Sequence, residues 1–211
     1  MPENAAPSII LCLPFLASVA VYALRAGGRR LAARLMTGTA LLSLLLTLWL
    51  YPALADGGAL RQVIPWASTL GLDLSFRVDG FSWLFMLLIC GIGALVGVYA
   101  RYYMPPDDRL ARFFSLLLAF MGSMLGIVMS GNVIQLVFFW EMTSLFSFLL
   151  IGYWYRGASA RDGARMALIV TSGGGLCLFA GVLLLGHIVG SYELDAILAA
   201  GALVRAHALY T

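Results

Sequence analysis

Lysine is missing from this sequence altogether: the 13 basic residues are all arginine. Charge of either sign is scarce, since Asp, Glu and Arg together make up 11% of the chain. Soluble domains carry about 25% charged residues. With 62% hydrophobic residues and a mean hydropathy of +0.96, that scarcity excludes a water-facing globule and marks an integral membrane protein. Cysteine is sparse as well. Cys12, Cys90 and Cys177 each fall inside an apolar run, far apart, without CxxC or Cys/His spacing. No disulfide framework or metal site is expected from them, and buried packing is the expected role of all three. His187 and His207 sit near span ends without ligand spacing and read as interface residues. Haem, iron–sulfur and flavin ligand patterns are absent, so no cofactor is expected. The formal charge of +3 comes from arginines gathered at span ends, which is no nucleic-acid signature. The start, Met1-Pro2-Glu3-Asn4, lacks a basic region and a small-residue cleavage site, so the first apolar run reads as a retained span.

What is present is long apolar runs. Windows of about 19 residues predict six transmembrane helices: Ser8–Leu24, Leu35–Tyr51, Gly80–Tyr102, Phe113–Ser130, Asn132–Trp154 and Met166–Val189. The fold class expected is an all-α membrane protein, the start of a larger bundle. Three segments follow: 1–78 with two spans and a loop, 79–189 as the transmembrane core, and 190–211 as a surface helix on the outside. In the long connection, Leu72-Asp73-Leu74-Ser75-Phe76-Arg77-Val78 alternates apolar and polar residues as a half-buried strand does, with Val63-Ile64-Pro65-Trp66 as its hairpin partner. Ser191 to Ala200 opens with a serine and early acids, the pattern of a short helix start. Ser130-Gly131-Asn132 is a tight turn that makes spans four and five neighbours. Gly122 and Gly126 fit the small-xxx-small pattern of close helix approach. Gly173-Gly174-Gly175 follows no soluble strand, so it reads as a weakened or kinked helix rather than a nucleotide loop.

Arginine also sets an orientation. Arg25, Arg29, Arg30 and Arg34 follow span one, Arg101, Arg109 and Arg112 flank the loop after span three, and Arg156, Arg161 and Arg165 follow span five. The opposite connections hold only Arg61, Arg77 and Arg205. The positive-inside rule then puts the N-terminus outside and the three Arg-rich loops in the cytoplasm.

Against this background Glu141 stands out, for no other acid lies deep in an apolar stretch. Its run is about 34 Å long as a helix, enough to cross a hydrocarbon core of about 30 Å. An ionised carboxylate at mid-membrane depth costs about 2.5 to 3.5 kcal/mol on insertion scales, so such a group is protonated, solvated or paired. Proton or ion handling is one reading; structural glue, a glutamic acid bonded to a neighbouring helix, is the other. Thr143, Ser144 and Ser147 form a polar strip beside it. Their hydroxyls either serve Glu141 and water or turn back to their own helix carbonyls, which is expected of at least two of the three. No span holds a central arginine, so a cationic partner for Glu141 must come from beyond these residues.

Several motifs now carry a resemblance. They are Arg77-Val78-Asp79-Gly80-Phe81-Ser82-Trp83-Leu84-Phe85, Tyr99-Ala100-Arg101-Tyr102-Tyr103-Met104, Arg112-Phe113-Phe114, and above all Phe139-Trp140-Glu141-Met142-Thr143-Ser144 running on to Trp154. The chain resembles the antiporter-like proton-translocating subunits shared by respiratory complex I and the multisubunit Mrp-type cation/proton antiporters. Within them it is most similar to the N-terminal part of the large, A-type subunit of the Mrp (Pha, Mnh) antiporters, a branch favoured by Gly190-Ser191-Tyr192-Glu193-Leu194. The resemblance implies that Glu141 is the proton-relay carboxylate of span five and that its partner is a lysine on a seventh span, beyond Thr211. It further implies a subunit of a Na+ or K+/proton antiporter in the plasma membrane, not an enzyme, partnered by other membrane subunits and lipid and binding no nucleic acid. Complex I relatives usually carry Arg and Asp at the positions of Ser172 and Gly175, which argues for the antiporter branch. The alternatives are a proton-pumping arm subunit of an NADH:quinone oxidoreductase or membrane hydrogenase, and a non-transporting assembly subunit.

Orientation is testable by single-cysteine labelling after the three native cysteines are replaced. A cysteine in place of Gly58 is expected to be blocked by an impermeant thiol reagent only from outside; blocking only from the cytoplasm would reverse the topology.

Overall fold

The computed structural model describes residues 5–24, 27–67, 72–105 and 110–207. Arg25, Leu70, Gly71, Arg109 and residues 208–211, on which parts of the sequence reading fall, lie outside the described residues. The elements in chain order are α1 (Ala6–Ala23), α2 (Gly28–Trp49), the single turn α3 (Tyr51–Leu54), β1 (Leu60–Ala67), β2 (Leu72–Val78), α4 (Gly80–Tyr103), α5 (Leu110–Met129), α6 (Val133–Ile151), α7 (Ala158–Val189), α8 (Leu194–Ala199) and α9 (Gly201–Ala206). Six of these helices, α1, α2, α4, α5, α6 and α7, are long and apolar enough to cross a membrane, and the protein is multi-pass. Helices satisfy their own peptide groups, which is what a hydrocarbon core demands of any spanning segment.

Two spans begin about two turns earlier than the apolar windows indicate. α2 starts at Gly28 rather than Leu35, and α7 at Ala158 rather than Met166. A hydropathy window registers apolarity, whereas Ala and Arg continue a helix readily and long arginine stems carry their charge toward water. Two of the three cysteines also depart from expectation: Cys90 is buried, but Cys12 and Cys177 are exposed. Lipid is as apolar as a protein interior, so an apolar neighbourhood in the sequence says nothing about which side of a span a residue faces.

The bundle is organised around α5. It packs against α1 and α6 most extensively, and against α2 and α4 as well, while α2 lies along α4 and α7 touches mainly α6. One core cluster gathers Ile10, Met86, Cys90, Leu125, Met129 and Phe139; a second, toward the other end, gathers Val21, Met36, Phe114, Leu118 and Tyr153. Gly122 and Gly126 do allow close approach, but of aromatic rings rather than of two backbones. A Cβ on Gly122 would meet the Phe15 ring of α1 at 2.9 Å, and one on Gly126 would overlap the Phe139 ring of α6. Large apolar side chains such as Leu16, Leu45, Leu95, Ile169 and Leu176 point outward, as a lipid-facing surface requires.

The expected hairpin is present: β1 and β2 pair antiparallel, with Arg61 directly opposite Arg77. Like charges in that register repel, and Asp195 answers both, pairing with Arg61 at 2.7 Å and Arg77 at 2.9 Å. Arg77 also pairs with Asp79 at 2.6 Å. Asp79 caps α4 by accepting from the Ser82 N–H at 2.8 Å. Burial alone would push the Asp79 carboxyl up, but the Ser82 bonds and the Arg77 charge outweigh it and hold it below the usual carboxylate range. The cap therefore stabilises the fold above the ordinary Asp value, and its contribution fades on acidification through the lowered one.

A second knot joins the hairpin, the α5–α6 turn and the segment entering α8. Gly131 donates to the Ser75 carbonyl at 2.7 Å and accepts from the Leu194 N–H at 2.7 Å. A Cβ at Gly131 would stand 2.5 Å from Ser75 Oγ, so only glycine fits between the two strands of this clasp. Asn132 caps α6 by accepting from Ile134 N–H at 3.0 Å and donates to Glu193 Oε1 at 3.0 Å, while Ser75 Oγ donates to Glu193 Oε2 at 2.9 Å. Helix α8 accordingly begins at Leu194, not at Ser191: the Ser191 hydroxyl accepts from Glu193 N–H, and Glu193 commits its carboxylate to the clasp rather than to the helix end. At the opposite end Arg29 donates to the carbonyls of Pro105, Arg101 and Met104, bringing the connections after α1 and α4 together at the C-terminus of α4.

Asn132→Ala removes both the cap of α6 and a donor to Glu193. The expected cost is about 2 kcal/mol, roughly half from each loss, with Asn132→Ser recovering the cap alone. Thermal unfolding in detergent checks this.

Candidate functional site

Glu141 lies near the middle of the 19-residue helix α6, about 12 Å from its start and about 15 Å from its end at the usual rise. Helical spacing puts Val137, Glu141 and Ser144 on one face, with Phe138 and Trp140 turned outward. That face meets α7: Val137 packs with Val182 above the carboxylate, and the 3-10 turn after α6 places Gly152 against Ala164 below it. Glu141 is partly buried, and its Oε1 is buried without a hydrogen-bond partner among the described residues.

Gly175 of α7 makes room for that oxygen. A Cβ at this position would overlap Oε1 outright and stand 2.8 Å from Cδ. A Cβ on Gly173 or Gly174 would meet nothing within 4 Å, and α7 runs unbroken through all three glycines. The triple glycine thus lies inside a continuous helix and does not end it. One of its members receives a carboxylate; the others lie on the open side of the helix.

The polar strip is divided. Thr143 Oγ1 and Ser144 Oγ both donate to the Trp140 carbonyl, at 2.7 and 3.4 Å, so these two turn back on their own helix. Each hydroxyl oxygen keeps acceptor capacity after donating. Ser144 is buried on the α7 side, whereas Thr143 and Ser147 are only partly covered. Arg161 and Arg165 stand in the first turns of α7, and Arg101 and Arg112 in the end turns of α4 and α5, so among the described residues no arginine reaches the middle of a span.

Three features escaped the sequence reading. The Glu193 clasp had no local signal: Asn132 followed by Gln135 has the spacing of a capping box and marks only the start of α6, and Gln135 accepts from Ser75 N–H instead. The Asp195 pairing with Arg61 and Arg77 had none, because its partners are far away in the chain. Gly175 had a faint one: Ala164, Gly175 and Gly186, all buried on α7, recur every 11 residues, three helical turns, along one stripe.

The chain matches two family models. Residues 64–114 match the N-terminus of chain 5 of NADH-ubiquinone oxidoreductase (complex I), and residues 130–209 match the transmembrane region of NADH:quinone oxidoreductase/Mrp antiporter subunits. The second match contains Glu141 and Gly175. Among curated relatives, a probable K+/H+ antiporter subunit of the A/B type from Rhizobium meliloti is 52% identical over 96% of this chain and 20% of its own length. The A-type subunit of the Na+/H+ antiporter of Alkalihalophilus pseudofirmus is 40% identical over 79% of this chain and 22% of its own. The chain thus spans about a fifth of the length of these relatives. A chain in the structure of an Mrp complex from a Dietzia species aligns over 97% of this chain and 22% of that one, at 28% identity with a TM-score of 0.80. A chain of an archaeal membrane-bound sulfane sulfur reductase shares the fold at a TM-score of 0.80, with 18% identity over 94% of this chain and 40% of its own. The chain belongs to the family of antiporter-like membrane subunits that complex I and the Mrp antiporters share, and within it resembles the N-terminal part of the large, A-type Mrp subunit.

Proposed function

We propose that this chain forms part of the large, A-type subunit of a multisubunit monovalent cation/proton antiporter, and that Glu141 is its proton-carrying carboxylate. The observation that carries the reading is the placement of Glu141: the one acid deep in a span sits near the middle of α6, with an oxygen buried against α7 that takes no hydrogen bond from the described residues. A group held for structure alone would be expected to find a donor on the neighbouring helix, since that bond is what offsets its transfer into hydrocarbon. An oxygen left open instead is suited to take up and release a proton.

The chemistry required is modest. When Glu141 is protonated it is neutral and tolerated at this depth; when it ionises, the charge needs water or a cation within reach. The acceptor capacity of Ser144 and Thr143 offers places for a protonated carboxyl or a water to bond, and Ser147 continues that strip one turn on. The cationic partner belongs to another segment or subunit, as does the exchange of Na+ or K+. Relatives bear names of both kinds, K+/H+ and Na+/H+. The reading makes the chain a transporter subunit of the plasma membrane, working with other membrane subunits, its N-terminus outside and its Arg-rich connections in the cytoplasm.

Glu141→Gln keeps the size and hydrogen bonding of the side chain but cannot ionise. Cation-dependent proton movement in vesicles carrying the assembled complex is expected to fall to the level of empty vesicles, with the amount of assembled complex unchanged. Normal antiport by this variant would sink the proposal, and loss of assembly would favour the structural role.

A further inference from the structure

We infer that Gly175 is a positioning residue for Glu141: the bare Cα on α7 is a seat that holds the carboxylate in place by shape. This rests on the reading of Glu141 as the proton carrier and adds a residue that the reading does not contain. Oε1 occupies the space a Cβ at Gly175 would fill, so any other residue here would displace it. The same oxygen is buried and receives no hydrogen bond from the described residues, so no bond sets its place. What sets it is the hollow at Gly175 and the walls around it. The demand is local, because the adjoining Gly173 and Gly174 are open.

Moving the two helices apart to relieve a clash would give up their contacts on both sides of the seat. Below the seat a Cβ on Gly152 would already lie 3.4 Å from the Ala164 methyl; above it Val137 packs on Val182, and the Tyr192 ring lies over Gly186. An added methyl at Gly175 would be absorbed most cheaply by the most compliant neighbour. That neighbour is the far end of a long, flexible side chain, Glu141 itself. The variant should therefore fold and leave the carboxylate misplaced. A displacement on the order of 1 Å in a reacting group can cost about a hundredfold in rate, so a small steric change here has a large functional effect.

The test uses the complete polypeptide in its membrane assembly, comparing Gly175→Ala with Gly173→Ala and Gly174→Ala. Three readouts are taken: antiport in vesicles across pH, modification of Glu141 by a hydrophobic carbodiimide followed by mass spectrometry, and yield of assembled complex. Gly175→Ala is expected to assemble, to lose about tenfold or more of its transport, and to change the rate of Glu141 modification severalfold with a displaced pH profile. The two control variants should match the parent. Wild-type transport and labelling in Gly175→Ala would overturn the inference. Should Gly175→Ala fail to assemble, the pair is repeated on Glu141→Ala, where the carboxylate is gone. Recovery of assembly there supports the seat, and continued failure shows a general packing demand and overturns it. Labelling separates this inference from the proton-carrier reading: if Glu141→Gln still transports while Gly175→Ala alters modification, the carrier role fails and the seat stands.

Discussion

Hydrocarbon offers no hydrogen bonds, and almost every feature of this protein follows from that. Backbone groups are satisfied within helices, and the irregular or sheet-like parts are confined to the ends of the spans. There they are knotted together by the Gly131 clasp and by Asp195. The same rule makes the Glu141 oxygen near the middle of α6, which takes no hydrogen bond from the described residues, the most informative departure in the fold. The proposed proton-carrier role rests on that departure.

The clasp has a second role in this frame. β2, the α5–α6 turn and the segment before α8 are remote in sequence, yet Glu193 bonds side chains from two of them and Gly131 bonds backbone in both directions. The N-terminus of α6, and with it the height of Glu141, is referenced to the hairpin, which is itself tied to α1 through the bonds between Gln62 and Ser8. Position along α6 is thus determined at one end by polar bonds. Position across the α6–α7 interface is set largely by small residues, since Ala164, Gly175 and Gly186 allow α7 to lie close, with Val182 packed on Val137. Outside that stripe α7 exposes Met166, Ile169, Val170, Leu176 and Leu184.

Much of this architecture was legible in the chain. Long apolar runs specify spans because nothing else of that composition is stable in water, and alternation from Leu72 to Val78 specified the strand that the hairpin contains. The motif around Trp140, Glu141 and Met142 carried the family resemblance, and the family matches agree with it. Boundaries were less legible. Arginine at a span end interrupts a hydropathy window without interrupting a helix, so α2 and α7 both extend further than the windows indicate. Cysteine burial was not legible at all, because lipid and protein interiors reward the same side chains.

Sequence by itself determined how many helices are long and apolar enough to cross, which acid lies deep in one of them, and that at least two of Thr143, Ser144 and Ser147 would turn to their own helix carbonyls. These are local properties: hydropathy over one span, cost of one charge, reach of one hydroxyl. Only the tertiary structure decided that Gly175 and not its two neighbours faces Glu141, that Glu193 serves the clasp rather than its own helix, and that Asp195 reconciles two opposed arginines. Each of those depends on the rotation of one element against another. In a membrane, where apolar surface is satisfied on every side, hydropathy leaves that rotation unspecified; small residues and a few polar bonds set it.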